Sequence, residues 1–229
     1  MVPIRIQLLN KFLCLFFYLL YHQLAWSYDW VASVVSIGKW QEWVLAVIPY
    51  LTGPQVLELG YGPGHLQIAL YKKGVRSFGL DESRQMGRQA YKRLHHQGFI
   101  PVLINGYAQN LPFVSNAFHQ IAAIFPTEFI ADLNTLSEIY RVLLPGGEAI
   151  VLLTAWIKGK SPSERLASWL FHFTGQAPEW TDHFLEPILK SGFQTRVEQL
   201  TIQSNVLLVI RAQKPINPIS RGTNVGKLM

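Results

Sequence analysis

The sequence predicts an α/β protein built on a doubly wound, mostly parallel sheet of seven strands. Short apolar runs alternate with segments of helical period, which is the pattern of strands joined by right-handed crossover helices. The length of 229 residues suits one domain with a full core. Because 49% of the residues are hydrophobic and only 15% are charged, the composition excludes a disordered or linker protein.

Five apolar runs are the predicted parallel strands, and residues that begin or end helices lie between them. Gly74 and Gly98 end the first two helices, and Ser83 and Asp132 can begin helices as side-chain caps. A Pro-Gly-Gly turn at 145–147 ends the last of these helices. The predicted strands are 55–60, 75–81, 100–106, 119–125 and 148–154, with closing strands at 193–203 and 206–214, and the predicted helices are 65–74, 84–97, 133–144, 163–173 and 181–190.

Three parts are predicted along the chain: an N-terminal apolar helical segment at 1–40 that packs on or covers the functional site, the main domain at 41–214, and a flexible tail at 215–229. The run at 12–21 is apolar all round but about ten residues long, whereas a bilayer span needs roughly 20. It can pack against its own domain or a dimer partner, be a signal peptide's apolar stretch, or lie in a membrane surface. The last alternative would immerse Phe12, Phe16, Phe17 and Leu20.

Net charge and cysteine content limit which partners and metal sites the sequence can have. The net charge of +6 is compatible with binding nucleic acid, with binding anionic lipid head groups, or with solubility alone, and the charge does not choose among these. Arg84, Arg88 and Lys92 recur every four positions on one helix face, which is the usual pattern of a solvated face, and a nucleic-acid interface would need a broader stripe. The single Cys14 excludes an internal disulfide and a cysteine zinc site, and fits a reducing cytoplasm. We therefore predict no metal, and a nucleic-acid partner is disfavoured.

The stretch VLELGYGPGHL at 56–66 carries the clearest functional signal. Gly60, Gly62 and Gly64 follow the first strand, where backbone without Cβ atoms can approach a nucleoside-bearing ligand closely. Asp81 ends the second strand, 17 residues after Gly64, where a carboxylate accepts hydrogen bonds from ribose hydroxyls. A dinucleotide fingerprint would need glycine at His65, which disfavours a dehydrogenase. The pattern predicts an adenosine-type cofactor.

The order E-x-G-x-G-x-G followed by LDES resembles the class I S-adenosylmethionine-dependent methyltransferases, in their small-molecule branch, and is similar to the quinone and lipid methyltransferases. NGYAQNLPFVSNAFHQIAAIFPTEFI, EIYRVLLPGGEAIVLL and LAWSYDWVA look like further segments of that family, and the resemblance covers about 24–155 and more loosely the chain to about 211. It implies a Rossmann-like methyltransferase fold, S-adenosylmethionine as cofactor, and methyl transfer to a small, apolar or lipid-like acceptor. A catalytically silent assembly or regulatory protein and a nucleic-acid methyltransferase stay open as alternatives.

The resemblance also implies which residues contact the cofactor. Glu58 and the glycine turn would hold the methionine end, Asp81 the ribose, and Met86 would lie beneath the adenine. Two departures occur, because Tyr107 and His119 stand where the family often has aspartates. The full implied set is Tyr28, Glu58, Gly60, Tyr61, Gly62, Gly64, Asp81, Glu82, Met86, Ala108, Gln109 and Phe125.

Methyl transfer needs a general base only if the acceptor must lose a proton. Glu128 and Tyr28 are the candidate catalytic residues. Single histidines are more often structural, and the alternatives among them are His22, His119, His172 and His183. An aromatic-rich segment after the fifth strand either fills core or lines an apolar acceptor pocket; it contains Trp156, Trp169, Phe171, Phe173 and Trp180. We expect a cytoplasmic protein that can contact a membrane peripherally and can form a homodimer.

Overall fold

The protein is described by a computed structural model at residues 33, 36, 38–157, 186–203 and 205–216. Seven strands form one sheet in the order β3-β2-β1-β4-β5-β7-β6. Strands β1 to β5 are parallel, whereas β7 is antiparallel to both of its neighbours. The predicted fold class is therefore confirmed. The strands are β1 Gln55–Leu59, β2 Arg76–Asp81, β3 Val102–Asn105, β4 Phe118–Ile124, β5 Leu143–Ile157, β6 Gln194–Ile202 and β7 Asn205–Gln213.

Helices cover both faces of this sheet. Two of the predicted caps are confirmed: Ser83 Oγ accepts from Met86 N–H at 3.3 Å, and Asp132 Oδ1 accepts from Asn134 N–H at 2.8 Å. The helices are α1 Trp40–Leu45, α2 His65–Lys72, α3 Arg84–His96, α4 Leu133–Val142 and α5 Glu186–Lys190, with short 3₁₀ helices at Ile48–Tyr50 and Glu128–Ala131.

The Pro-Gly-Gly segment differs from the prediction. The sequence predicts a turn at 145–147 and a strand from 148, but β5 already begins at Leu143. Gly146 N–H donates to Lys214 O at 2.9 Å, and Lys214 N–H donates to Gly147 O at 2.8 Å, so pairing with the chain after β7 extends the strand. A register shift between Phe118 and Gln120 of β4 accommodates the irregular segment. Tertiary pairing therefore overrides the local turn signal.

Two apolar layers bury the central strand on both faces, as parallel sheets require. Leu57 and Leu59 of β1 pack with α4 on one face, and Val56 packs with α1 and α2 on the other. The carboxyl ends of β1, β2 and β4 consequently meet at one edge, which we call the site edge. Among the described residues, no helix is long and apolar enough to cross a membrane. Most of the predicted N-terminal segment 1–40, all of the predicted helix 163–173 and most of the predicted tail 215–229 lie outside the described residues.

Candidate active site

The glycine turn after β1 is the centre of the site edge. Gly60, Gly62 and Gly64 have left-handed backbone angles, with φ of +71°, +51° and +86°. Gly60 N–H donates to Leu80 O at 2.8 Å, which ties the turn to β2. A Cβ on Gly64 would lie 3.0 Å from the Cβ of Ala90, so the turn can approach α3 this closely only with glycine. A Cβ on Gly62 would meet no described atom within 4 Å, so the middle of the turn has space for a ligand.

Asp81 joins the end of β2 to the glycine turn and to α3. Its side chain is only 8% exposed. Oδ2 accepts from Gly62 N–H at 2.8 Å, and Oδ1 accepts from Ser83 N–H at 2.8 Å. A carboxylate offers about four acceptor positions, so these two bonds take one on each oxygen. The residue predicted to bind ribose hydroxyls thus also holds the glycine turn and the start of α3 in place.

Asn105 holds the segment that carries Asp81, and the sequence analysis did not single it out. Its Nδ2 donates to Asp81 O at 2.9 Å and to Glu82 O at 2.8 Å. Its Oδ1 accepts from Arg84 Nε at 3.3 Å. Asn105 is the register partner of Asp81 in the β2–β3 pairing. A polar residue at the carboxyl end of a strand next to β2 is the sequence signal that could have found it.

Glu58 lies in β1 just before the turn and faces α2. Its side chain is 3% exposed, and its Oε2 accepts from Gln67 Nε2 at 2.8 Å. Gln67 also donates to Phe78 O at 3.2 Å and accepts from Ser77 Oγ at 2.9 Å, which fixes the amide. Burial raises the pKa of Glu58 to about 8, the bond from Gln67 opposes this, and the charge of Asp81 adds to it. Burial therefore favours the protonated form of this carboxyl group.

Tyr61, within the glycine turn, is 4% exposed and packs between β2 and α3. A Cβ on Gly79 would lie 2.5 Å from Tyr61 Cδ1, and a Cβ on Gly87 would lie 2.9 Å from Tyr61 Oη. Both glycines therefore leave room for the ring. Burial, with the charges of Asp81 and Glu58, raises the pKa of the phenol above its ordinary value. The ring is enclosed, so only the backbone of Tyr61 is free to contact a cofactor. The predicted cofactor contact of Tyr61 stays a prediction.

The chain after β4 crosses the site edge with two aromatic side chains. Phe125 has φ of +47°, an uncommon conformation for a bulky residue, and its N–H donates to Leu152 O at 2.8 Å. Its ring lies 4.7 Å from that of Trp40 in α1. Phe129 reaches the turn from the other side, and a Cβ on Gly60 would lie 3.8 Å from its Cζ. Phe129 was missed by the sequence analysis, because only the crossing of the chain brings it to Gly60.

The other predicted site residues that the structure describes differ in burial and in the element that carries them. Glu82 is exposed after β2, Met86 is fully buried in α3, and Ala108 and Gln109 follow β3 at the site edge. Glu128 is exposed in the segment after β4, at the same edge.

One base candidate, His119, is not brought to this edge. His119 is the second residue of β4, at the opposite edge of the sheet, about 15 Å along the strand from the site edge. Tyr28, His22, His172 and His183, with the aromatic segment beyond Trp156, lie outside the described residues. Over the described ranges, no group of three or more His, Cys, Asp or Glu is placed to hold a metal ion.

These residues fit an adenosine-bearing cofactor with a charged amino-acid tail. The turn has an open middle at Gly62, and a carboxylate lies within hydrogen-bonding distance of it. Glu58 supplies a buried carboxyl group whose ionised form a nearby cation would favour. Such a combination of left-handed glycines, strand-end carboxylate and site-edge location is typical of the nucleoside site of a doubly wound fold. The fold and the site together define a class I S-adenosylmethionine-dependent methyltransferase, with S-adenosylmethionine as its cofactor.

The chain belongs to the ubiE/COQ5 methyltransferase family, whose model matches residues 18–181. It is 32% identical over 199 residues to the demethylmenaquinone methyltransferase of Symbiobacterium thermophilum, covering 82% of this chain and 76% of the relative. It is 31% identical to the demethylmenaquinone methyltransferase of Lactiplantibacillus plantarum, covering 69% and 70%. The chain spans about half (56%) of the ubiquinone/menaquinone biosynthesis C-methyltransferase of Blochmanniella floridana, at 32% identity.

Solved structures share the fold at lower identity. A putative S-adenosylmethionine-dependent methyltransferase from Methanococcus maripaludis matches with a TM-score of 0.61 and 18% identity, covering 86% of this chain and 94% of that one. Phosphoethanolamine N-methyltransferase 2 of Haemonchus contortus, solved with S-adenosylhomocysteine, matches with a TM-score of 0.59 and 19% identity, covering 78% and 53%. These likenesses support the fold of the chain.

Proposed function

We propose that this protein methylates a ring carbon of a quinol that carries an apolar tail. The observation that carries the proposal is the bond between Gly62 N–H and Asp81 Oδ2, because it joins the glycine turn to the strand-end carboxylate in the part of the chain that the family match covers. Two relatives are named as demethylmenaquinone methyltransferases, and a third as a quinone C-methyltransferase. A reduced, electron-rich ring is the form of the acceptor that can act as a carbon nucleophile.

The residues at the site edge would divide the work. Asp81 would accept from the ribose hydroxyls, and the ionised Glu58 with the glycine turn would hold the methionine end. Bound S-adenosylmethionine supplies an electrophilic methyl carbon attached to a positively charged sulfur. The protein then has to orient the acceptor behind that carbon and to exclude water.

Aromatic side chains at the site edge support an apolar, planar acceptor. Phe125 and Trp40 form a partly buried ring pair where β4 ends, and Phe129 stands beside Gly60. Such rings keep water out and offer faces on which an aromatic acceptor can stack. Glu128 and Tyr28 are the proposed bases for the proton that the ring carbon loses, with Glu128 placed after β4.

We also propose that the protein works at the cytoplasmic surface of a membrane, because an acceptor with an apolar tail resides there. The segment at 1–40 is the proposed cover of the acceptor site, and 12–21 its proposed contact with lipid. Homodimer formation through the same segment stays a prediction.

A direct assay tests the proposal. The full chain is incubated with S-adenosylmethionine and a short-tailed demethylmenaquinol, and mass spectrometry follows S-adenosylhomocysteine and a quinol heavier by one methylene unit. The oxidised quinone is the matched control, and we expect it to remain unmethylated because its ring is electron-poor. Cofactor binding without methylation of any quinol would favour the assembly-factor alternative. A chain that binds NADH but neither sulfur ligand would overturn the cofactor assignment.

A further inference from the structure

The positive charge of this protein is concentrated on the side of the sheet where β3 is the outermost strand. Residues 61–105, which form α2, β2, α3 and β3, contain seven Lys and Arg against two acidic residues, so they hold +5 of the chain's +6. Asp81, one of the two acids, is buried at the site edge. The exposed charged side chains of this fifth of the chain are therefore almost all cationic, with Glu82 as the exposed acid.

A single face of α3 carries the densest part of this charge. Arg84, Arg88, Tyr91, Lys92 and His95 are all exposed, and their spacing places them on one strip of the helix, opposite its buried residues. We call this strip the α3 basic face. Within the described part of the chain, no acidic side chain pairs with Arg88 or Lys92. The centre of the face therefore has no counter-charge from the residues that the structure describes.

Further cations and an apolar tip border the α3 basic face. Lys72 and Lys73 are exposed at the end of α2, which packs against α3. Ile100, just beyond α3, is 87% exposed. Tyr71 Oη donates to Ile100 O at 3.1 Å, which fixes the backbone beneath that side chain. Cations around a protruding aliphatic residue are the composition of surfaces that lie on anionic lipid.

We propose that the α3 basic face docks this protein on the head groups of an anionic phospholipid bilayer. The choice of lipid rests on the proposed function, since the apolar acceptor would be dissolved in that bilayer. α3 begins at Arg84, three positions after Asp81, the last residue of β2. If α3 lies on the membrane, the site edge therefore lies next to the lipid surface. An acceptor can then pass from the lipid to the site edge.

The surface suits lipid better than nucleic acid. A single-stranded nucleic acid needs exposed aromatic faces on which bases stack. Tyr91 is the exposed ring of the strip, and it already stacks on His95, with centroids 5.8 Å apart and an interplanar angle of 20°. Ile100 offers a base nothing to stack on, but it can enter the head-group layer.

Vesicle sedimentation of the full chain tests the proposal. Binding is compared on vesicles of phosphatidylcholine alone and of phosphatidylcholine with phosphatidylglycerol, at low and at physiological ionic strength. A cation near such a surface contributes about fivefold in affinity, so Arg88→Gln with Lys92→Gln should lose about 25-fold on the anionic vesicles. The matched control is Lys190→Gln with Arg196→Gln, which removes one exposed cation from α5 and one from β6. β6 is the outermost strand on the side of the sheet away from β3. We expect the control to lose less than twofold.

Three results would overturn the docking proposal: equal losses in both double variants, undiminished binding in Arg88→Gln with Lys92→Gln, or equal binding to both kinds of vesicle. Loss of binding to a single-stranded RNA probe, with vesicle binding intact, would assign the face to nucleic acid instead. Methylation of a water-soluble, short-tailed quinol without vesicles should be unchanged in both variants. That readout separates a wrong surface from a wrong function, because vesicle binding needs neither cofactor nor acceptor.

Discussion

Gly87→Ala measures how tightly Tyr61 is held beneath the glycine turn. In a helix interior, alanine is favoured over glycine by about 1 kcal/mol. In α3, however, the new Cβ would lie 2.9 Å from Tyr61 Oη. The ring has little room to withdraw, because it rests on Gly79, where a Cβ would lie 2.5 Å from Tyr61 Cδ1. Overpacking of this kind costs about 1–3 kcal/mol, so we expect Gly87→Ala to range from neutral to about 2 kcal/mol destabilising.

Tyr61→Phe should reverse the sign of that effect. The nearest remaining ring atom, Cζ, lies 4.0 Å from the new Cβ, which is ordinary van der Waals contact. In the Tyr61→Phe background, Gly87→Ala should therefore stabilise the protein by about 1 kcal/mol, as helix propensity alone dictates. The two substitutions should be coupled by about 1–3 kcal/mol, within the range found for residues in contact.

Urea unfolding of the four proteins, followed by tryptophan fluorescence, gives the coupling energy. Additivity within about 0.5 kcal/mol would refute the reasoning, because it would mean that the Tyr61 hydroxyl does not touch α3. Calorimetric titration of S-adenosylmethionine provides an independent check. Since the ring lies beneath the turn, Tyr61→Phe should bind the cofactor with an affinity close to that of the unsubstituted protein.

Three other changes address the site edge. Asp81→Asn should weaken binding of S-adenosylmethionine by about 1–3 kcal/mol in a calorimetric titration, and an unchanged affinity would remove Asp81 from the site. Asn105→Ala removes the side-chain donor to Glu82 O and leaves Asp81 O only the bond from Gly106 N–H, so the melting temperature and the cofactor affinity should fall together; a fall in only one would contradict its positioning role. Glu58→Gln should abolish a decline in stability that the unsubstituted protein shows between about pH 5 and 8, measured as the free energy of unfolding against pH.

Local signals sufficed to predict the glycine turn and Asp81. A run of glycines behind a buried strand and an acid at the next strand's end are each readable within a few residues. The caps at Ser83 and Asp132 were predictable for the same reason, since a cap bonds within its own turn.

Residues whose role depends on pairing across the sheet were missed. Asn105 acts on Asp81 because β2 and β3 place them side by side, 24 positions apart in sequence. Phe129 reaches Gly60 through the path of the chain after β4. The strand that begins at Leu143 was hidden by its Pro-Gly-Gly segment, because a partner after β7 supplies the hydrogen bonds. Register and crossing geometry leave no periodic trace in the sequence.

Glu58 should make the stability of the cofactor-free protein and its affinity for the cofactor change in opposite directions as the pH rises. Its folded-state pKa of about 8 lies above the unfolded value of 4.5, so the folded protein binds the extra proton between these limits. Stability is therefore greatest below about pH 4.5 as far as this group is concerned, and declines by up to about 1.4 kcal/mol per pH unit until about pH 8. A cofactor ammonium beside Glu58 favours the ionised carboxylate, so its affinity should rise over the same window. Glu58→Gln should flatten both profiles, and a flat affinity profile in the unsubstituted protein would place the ammonium elsewhere.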